Sequence, residues 1–367
     1  MAKFPTNDIM TLVGPAPRYD LAESLGPDLH LHDVLGSDNL PLGYGSAAGD
    51  PALRAAIAER HGVAPDDVVV TVGGMHALFL LGFILCDPGD EAVTTTPLFP
   101  LARTALQAVG AKLRTVNLTF DRRYQPDLAD IRAVLSERTR LVSLASPQNP
   151  SGVAIPPETI RTILAAMQQQ CPQAYLLIDE TYREAAYGND PIAPSLIALG
   201  QKIVSVASLS KCHGTPGVRI GWAITRDPAL REQLVVGKFN TVISCSAVDE
   251  ALACHVLRQT RQTRRDHFAA GLQQTAIWAR QNADRIEWIR PDAGAICCMR
   301  LRPNLFDDLA VSHFYQALTD HGVRVANGTW FGDDARVFRL GFGWLSMPDL
   351  ETALTGISAA LERAHAE

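Results

Sequence analysis

Residues 202–222 read KIVSVASLSKCHGTPGVRIGW, and no other stretch of the chain is as informative. Segment 203–207 is apolar and rich in β-branched residues, which predicts a buried strand. Glycine and proline interrupt the pattern from Gly214 to Gly217, which predicts a loop. Lys211 is therefore expected on a loop, just beyond the carboxyl end of a strand.

Groups that suit an anionic ligand flank Lys211. The hydroxyls of Ser208 and Ser210 precede it, and Arg219 follows in the same loop. Arginine and hydroxyl groups bind phosphate well, which leaves the lysine amine free to attack a carbonyl. A reactive amine beside a phosphate site indicates pyridoxal 5'-phosphate, an aldehyde, as the cofactor.

The composition is that of an ordinary globular chain and excludes several partners. Of the 367 residues 47% are hydrophobic, and the formal net charge is −6. This acidity argues against nucleic acid, and the basic cluster at 258–265 is typical of an exposed helix face. No apolar run reaches membrane-spanning length, the first residues lack a signal peptide, and the seven cysteines suit reduced thiols. We expect a cytoplasmic protein without a membrane or nucleic-acid partner.

Strands and helices alternate over the first two thirds of the chain. The predicted strands share short apolar runs and lie at 68–72, 91–95, 113–118, 141–145, 175–178 and 203–207. Such alternation predicts an α/β fold whose large domain has a mostly parallel sheet, covered by helices on both faces. Beyond it, a long or broken helix at 247–282 and later short strands predict a smaller α+β domain.

This pattern predicts three parts. Residues 1–40 form an N-terminal arm that packs near the active site and the small domain. Residues 41–241 form the large cofactor-binding domain, and residues 242–367 form the small C-terminal α+β domain.

Distinctive residues follow the predicted strands one after another. They are Gly73-Gly74-Met75-His76 after the first strand, Phe99 after the second, Asn149 after the fourth, and Asp179 and Tyr182 after the fifth. Ligands of open α/β sheets bind beyond the carboxyl ends of the strands, so we expect these residues to share one site with Lys211.

Each of these residues suits one part of the cofactor. A helix that starts near Gly74 offers free N–H groups to a phosphate. A buried Asp179 needs a partner such as a pyridinium N–H, Asn149 can donate to a ring oxygen, and Phe99 can stack on the ring. Taken alone, Asp179 could simply cap a helix, Asn149 could lie in a plain turn, and Phe99 could be a core residue. Their order on successive strand ends favours a site.

These residues resemble the fold-type I pyridoxal phosphate enzymes, in the class I/II aminotransferase family. The most specific motif is Ser-x-Ser-Lys followed by Pro-Gly-Val-Arg-Ile-Gly, at 208–221. Further similar motifs are Tyr44-Gly45 with Gly49 and Leu53-Arg54, Asn149 to Gly152, Asp179 to Tyr182, and Phe338 to Gly341. Phe99 departs from the pattern, since tyrosine is more usual there, and His213 has no role in it.

The resemblance implies a role for each matching residue. Lys211 would hold the cofactor covalently and move the substrate proton, while Asp179 would pair with the pyridine nitrogen and Tyr182 would contact the ring oxygen. Arg339, with Asn149, would bind the substrate α-carboxylate. The other cofactor contacts would come from Gly74, Met75, Phe99, Asn149, Ser208, Ser210 and Arg219, and from the partner subunit's Tyr44 in a homodimer with shared sites.

The implied reaction moves an amino group between an L-amino acid and a 2-keto acid. An alternative stays open, because the same chemistry can end in oxidation, cyclisation or elimination on a basic amino acid such as arginine. Glu23 and Asp33, on the arm, could bind the cation of such a substrate. Both could instead be acids on a solvated loop.

Other classes of protein fit the sequence less well. A nicotinamide enzyme would need a G-x-G-x-x-G turn after the first strand, and Gly73-Gly74 does not supply it. A cofactor-binding regulator would need a DNA-binding module, and no basic helix-turn-helix segment precedes Tyr44. Metal catalysis is not expected, because the histidines are scattered and adjacent Cys297 and Cys298 would point to opposite faces of a strand.

Overall fold

The computed structural model describes residues 17–24, 40, 43–188, 190, 192–259 and 262–366. The strands of its first part are β1 (Tyr19–Asp20), β2 (Val68–Val72), β3 (Glu91–Thr96), β4 (Lys112–Asn117), β5 (Thr139–Ala145), β6 (Tyr175–Asp179), β7 (Ile203–Ser208) and β8 (Ile220–Thr225). All but β1 form a seven-stranded sheet in the order β2-β8-β7-β6-β5-β3-β4.

The sheet is mostly parallel, as predicted. Strands β3 to β7 pair in parallel, whereas β8 runs antiparallel to its neighbours β2 and β7. The strand pattern alone does not predict β8, because the loop after Lys211 leads into it directly, without a crossover helix. Strands β2, β3, β5, β6 and β7 therefore end at the edge of the sheet where β8 begins.

Helices cover both faces of this sheet, which confirms the predicted architecture. They are α1 (Pro51–His61), α2 (Gly73–Leu85), α3 (Pro100–Ala108), α4 (Leu128–Val134), α5 (Pro157–Gln170), α6 (Pro228–Val242) and α7 (Ala247–Arg258). Proline opens α1, α3, α5 and α6, at a position where the missing N–H would have no helical partner anyway. Residues of α1, α4, α5 and α7 pack in one core, and residues of α2 and α6 pack in another.

The rest of the described chain builds a core around a four-stranded antiparallel sheet. Its elements are α8 (Gln262–Gln281), β9 (Ile286–Ile289), β10 (Ile296–Leu301), α9 (Asp308–Asp320), β11 (Val323–Arg324), β12 (Ala326–Asn327), β13 (Val337–Gly341) and α10 (Met347–Ala366). The sheet has the order β12-β13-β10-β9, and β1 pairs in parallel with β11. Residues 19–20 of the arm thus lie on this part of the molecule.

The division into an arm and two domains stays a prediction. The packing shows where the chain passes from one hydrophobic core to the next. The predicted helix at 247–282 is two helices, and Leu257 of α7 packs in the first core while Phe268 of α8 packs in the core around β10. The change of core therefore falls between α7 and α8, after the boundary predicted near Thr241. Cys297 and Cys298 on β10 face different cores, as the alternation of a strand requires.

The described part of the chain lacks two features that would have pointed to other functions. None of the helices there is both long and apolar enough to cross a membrane. No group of metal-binding side chains comes together in that part of the chain.

Candidate active site

A cavity of about 230 Å³ opens at the sheet edge where β2, β3, β5, β6 and β7 end. Ten of the predicted site residues line it, namely Gly74, Met75, Phe99, Asn149, Asp179, Tyr182, Ser208, Ser210, Lys211 and Arg219. The remaining two, Tyr44 and Arg339, are not part of the lining. The structure thus gathers residues from the ends of five strands around one space.

Lys211 lies half-buried in the lining of this cavity. Its amine forms no hydrogen bond with any residue that the structure describes. Burial is the main cause that lowers the pKa of Lys211 to about 8; Arg339 and Arg219 add to the effect, while Glu23 and Asp179 oppose it. About a tenth of the amine is therefore unprotonated at pH 7, far more than for an ordinary lysine, which suits a nucleophile and a base.

From the low pKa of Lys211 we predict how the rate of its reaction with pyridoxal phosphate depends on pH. Only the unprotonated amine attacks an aldehyde, so the rate at which cofactor-free protein captures pyridoxal phosphate should rise with pH through a midpoint of about 8. The rate is measured by stopped-flow absorbance between about pH 6.5 and 9.5. A rate that still rises about tenfold per pH unit up to pH 9.5, as for an amine with the ordinary lysine pKa of about 10.4, would contradict the environment that the structure gives Lys211.

Asp179, at the end of β6, opens into the same cavity. The strand pattern suggested a buried residue, but Asp179 is half-buried because it lines the cavity. Its carboxylate accepts the backbone N–H of Thr181 at 3.0 Å. Burial raises the pKa of Asp179, and the hydrogen bonds from Thr181 and the charge of Lys211 act against this rise. A cationic N–H group in the cavity would stabilise the ionised carboxylate.

Close glycine contacts shape the anion-binding end of the cavity. Helix α2 begins at Gly73, so the N–H groups of its first turn have no helical partners and can bind a phosphate. A Cβ atom at Gly73 would lie 2.4 Å from the Arg219 guanidinium, and one at Gly221 would lie 2.5 Å from the backbone of Gly73 and Gly74. Only glycines allow β8, Arg219 and the start of α2 to approach this closely.

Gly221→Ala should therefore weaken cofactor binding by about tenfold or more, because the new methyl group displaces the start of α2. Gly217→Ala is the matched control in the same loop, since no atom lies within 4 Å of a Cβ atom there. Equilibrium titration of both variants with pyridoxal phosphate measures the effect. Equal affinities for the two would show that this close packing does not shape the site.

Arg339, on β13, lies behind the lining and is linked to it by Asn149. Its guanidinium donates to Asn149 Oδ1 at 2.8 Å and to the carbonyl oxygen of Ala22, and it lies over the Phe331 ring. Its Nε–H is buried without a hydrogen-bond partner among the described residues. Burial lowers the pKa of Arg339, which Tyr182 opposes. A substrate carboxylate could accept the unused hydrogen bond and stabilise the charge.

Tyr182 also has unused hydrogen-bonding capacity. Its hydroxyl is buried and has no hydrogen-bond partner among the described residues. A buried donor without a partner destabilises the folded protein, so this hydroxyl is suited to bind a ligand. Burial raises the pKa of Tyr182 to about 12, and Arg339 opposes the rise. Gly294 fixes the ring, since a Cβ atom there would lie 2.7 Å from it. No sequence motif pointed to Gly294.

Three further residues that the sequence analysis singled out are absent from the described residues that line this cavity. The side chain of Tyr44 is 86% exposed and borders a separate shallow surface with Val242 and Ser244. Within one chain Tyr44 therefore does not reach the cavity. The charge of Glu23 is close enough to raise the pKa of Lys211 and of Arg339. Asp33 lies outside the described residues.

Several lining residues were not predicted at all. The polar ones are Thr95, Ser143 and Thr181. Strands β3 and β5 are buried on both faces and have no polar alternation, so the sequence does not reveal which of their residues face the cavity.

Comparison with known proteins identifies the family. The chain matches the family described as aminotransferase class I and II over residues 31–357. One relative, the capreomycidine synthase of Streptomyces vinaceus, is 33% identical over 333 residues, which cover 88% of this chain and 82% of the relative. The chain belongs to the class I and II aminotransferases. The predicted cofactor, pyridoxal phosphate, and the predicted reaction class, amino transfer, are thereby confirmed.

Two further comparisons extend this finding. The arginine–pyruvate transaminase of Pseudomonas aeruginosa is 28% identical and is matched over 80% of this chain and 75% of its own length. Among solved structures, a PLP-dependent aminotransferase from Streptococcus suis has a TM-score of 0.88 over 98% of both chains at 23% identity. This structural likeness confirms the predicted fold-type I architecture.

Proposed function

We propose that Lys211 is the residue through which this enzyme transfers amino groups between L-amino acids and 2-keto acids. One observation supports this most strongly: the Lys211 amine, with a pKa of about 8, shares one cavity with Asp179 and Arg219. A base, a partner for a ring nitrogen and a phosphate-binding group are the three functions that the cofactor requires of its site.

The donor set of the cavity fits pyridoxal phosphate. The phosphate would be held by Arg219, the hydroxyls of Ser208 and Ser210, and the first turn of α2 at Gly74 and Met75. When bound, the cofactor supplies an aldehyde and an electron-withdrawing ring that stabilises negative charge at the substrate Cα. Asp179 would keep the ring nitrogen protonated, so this stabilisation is available at neutral pH.

The other residues would position the ring and move the proton. The Tyr182 hydroxyl and the Asn149 amide would donate hydrogen bonds to the ring oxygen, and Phe99 would cover one face of the ring. Lys211 Nζ would take the proton from the substrate Cα and later return it. Its low pKa suits both steps, because the amine can be regenerated as a base at neutral pH.

Arg339, together with Asn149, would bind the α-carboxylate of the substrate. The guanidinium already contacts Asn149, and its unpaired Nε–H remains for an anion. Amino acids and 2-keto acids share this carboxylate, so one arginine serves both half-reactions. Selectivity between substrates must therefore come from residues that contact their side chains.

We also propose a homodimer with shared sites, located in the cytoplasm. Near Tyr44, helix α6 and its C-terminal turn expose the apolar side chains of Phe239, Val242 and Ile243. Such a surface suits a second copy of the chain, whose cavity would receive the partner subunit's Tyr44. All seven cysteines are buried and unpaired, which supports a reducing compartment.

A second candidate is a reaction on a basic amino acid that ends in cyclisation or oxidation. Two relatives, by name, are a capreomycidine synthase and an arginine–pyruvate transaminase. The carboxylate of Glu23 is near both Lys211 and Arg339, where it could bind a cationic substrate side chain. Its backbone position is fixed by Gly341, because a Cβ atom there would collide with the Glu23 carbonyl oxygen.

A single-turnover screen distinguishes the two candidates. The enzyme loaded with pyridoxal phosphate is mixed with each common amino acid, without keto acid, in air and under argon. Amino transfer predicts one equivalent of keto acid and conversion of the cofactor to its amino form, independent of oxygen. Product that forms only in air, or without conversion of the cofactor, would favour the second candidate.

The variant Glu23→Gln tests the substrate class in the same assay. If Glu23 binds a cation, the KM for arginine should rise about tenfold or more while the KM for alanine stays unchanged. Equal effects on both substrates would assign Glu23 a structural role.

A further inference from the structure

Residues 179–184 present two different faces. Asp179 and Tyr182 line the cavity, whereas Glu180, Arg183 and Glu184 line a small space behind it. Thr181, between them, borders both. That second space also contains His213, two residues after Lys211. We call Arg60, Arg183, Glu184 and His213 the back cluster. None of its members has a part in the proposed chemistry.

Glu184 is the centre of the back cluster. Its carboxylate accepts from Arg60 Nη1 at 2.6 Å and lies 3.2 Å from His213 Nε2 and 3.6 Å from Arg183 Nη2. Burial alone would raise the pKa of Glu184, but His213, Arg60 and Arg183 outweigh it and hold the pKa well below its usual range. Glu184 is therefore a fixed anion and a strong acceptor for the imidazole.

The turn that follows Lys211 is held at three successive residues. The Cys212 thiol donates to the carbonyl oxygen of Thr181 at 3.2 Å, and His213 contacts Glu184. A Cβ atom at Gly214 would lie 2.0 Å from the Arg264 guanidinium, so that group packs on the backbone. Among the residues that the structure describes, none forms a hydrogen bond that would orient the Lys211 amine. Its direction therefore depends on how this turn is held.

If His213 served only to fill space, an apolar side chain would stabilise the protein better. Its side chain is 7% exposed, and Nδ1 has no hydrogen-bond partner among the described residues. An unpaired buried polar atom destabilises the folded state, and an apolar side chain of similar size would avoid this loss. The contact between Nε2 and Glu184 is what an apolar residue could not provide.

We propose that His213 is a positioning residue for Lys211. The contact of its Nε2 with the Glu184 carboxylate, at 3.2 Å, fixes the turn at 211–214 and with it the direction in which the Lys211 amine enters the cavity. This inference rests on the proposed role of Lys211.

The test compares three substitutions of His213 in the enzyme loaded with cofactor. His213→Met fills the space but cannot donate to Glu184, and His213→Ala removes both. His213→Gln keeps an N–H donor near the position of Nε2. We expect kcat to fall about 10- to 100-fold in the Met and Ala variants, with KM changed less than about threefold, because misplacement of about 1 Å can cost 10²-fold. Gln should restore most of kcat.

A second readout follows orientation directly. The visible circular dichroism of the bound cofactor should weaken in the Met variant and recover in the Gln variant. His61→Ala is the control for stability, because His61 is a second buried histidine in the same small space, and its imidazole contacts Ser195 at 3.1 Å and Glu180 at 3.6 Å. This control should lower the melting temperature but leave kcat and the dichroism unchanged.

Two outcomes would overturn the proposal. One is a folded His213→Met variant with the kcat and dichroism of the parent enzyme. The other is a loss that Gln does not rescue and that follows the melting temperature or cofactor content. Borohydride reduction of the parent enzyme separates this failure from that of the proposed function, since it links cofactor to Lys211 only if the proposed role of Lys211 is right.

Discussion

Lys211→Ala is expected to lower kcat for amino transfer by about 10⁴-fold or more, because we propose that this lysine both attaches the cofactor covalently and acts as the base at the substrate Cα. The cavity, the phosphate-binding end and Asp179 remain, so the variant should still bind pyridoxal phosphate without a covalent bond. Steady-state kinetics and cofactor content after gel filtration measure the two effects separately.

Lys202→Ala is the control for this experiment. Lys202 precedes β7, the strand that leads to Lys211, and its amine lies over the Tyr175 ring, away from the cavity lining. The control should keep the kcat of the parent enzyme. Full activity of Lys211→Ala would instead mean that another group attaches the cofactor and moves the proton.

Asp179→Asn is expected to lower kcat by about 10²- to 10³-fold while the cofactor stays bound. Asparagine has nearly the same size but no charge, so it cannot hold the ring nitrogen in its protonated form. The ring then withdraws electrons less strongly, although Lys211, Arg219 and the phosphate contacts are unchanged. Kinetics and an absorbance titration of the bound cofactor measure the loss.

An exposed aspartate provides the comparison. Asp130, whose side chain is 52% exposed, forms only a surface ion pair with Arg122, and Asp130→Asn should be neutral. Normal turnover of Asp179→Asn would refute the electrostatic role of this carboxylate. Loss of cofactor binding would mean that Asp179 serves mainly to hold the ring.

Much of the cavity could be predicted because it follows from strand ends. Lys211 and Asp179 each come directly after an apolar run, and parallel strands bring their carboxyl ends to one edge. The sequence pattern is sufficient in such cases, because the reactive residue stands close to the apolar run that predicts the strand. The motif at 208–221 then indicated the residues that we propose bind the phosphate.

Contacts between distant segments could not be predicted in this way. Arg339 contacts Asn149, which lies 190 positions away in the sequence. Glu23 comes near Lys211 because β1 pairs with β11 and the arm packs closely on Gly341. The role of Gly294 depends on the ring that packs on it. Helices α7 and α8 look like one helix in sequence, because hydrophobic periodicity does not tell which core a helix joins.

The most direct test of the account is borohydride reduction of the enzyme loaded with pyridoxal phosphate, followed by peptide mass spectrometry. The chain has five lysines, Lys3, Lys112, Lys202, Lys211 and Lys238, so the attachment site can be assigned without ambiguity. If Lys211 holds the cofactor, we expect one equivalent of reduced cofactor, on Lys211 alone. Cofactor on another lysine, or none after reduction of an active enzyme, would contradict it.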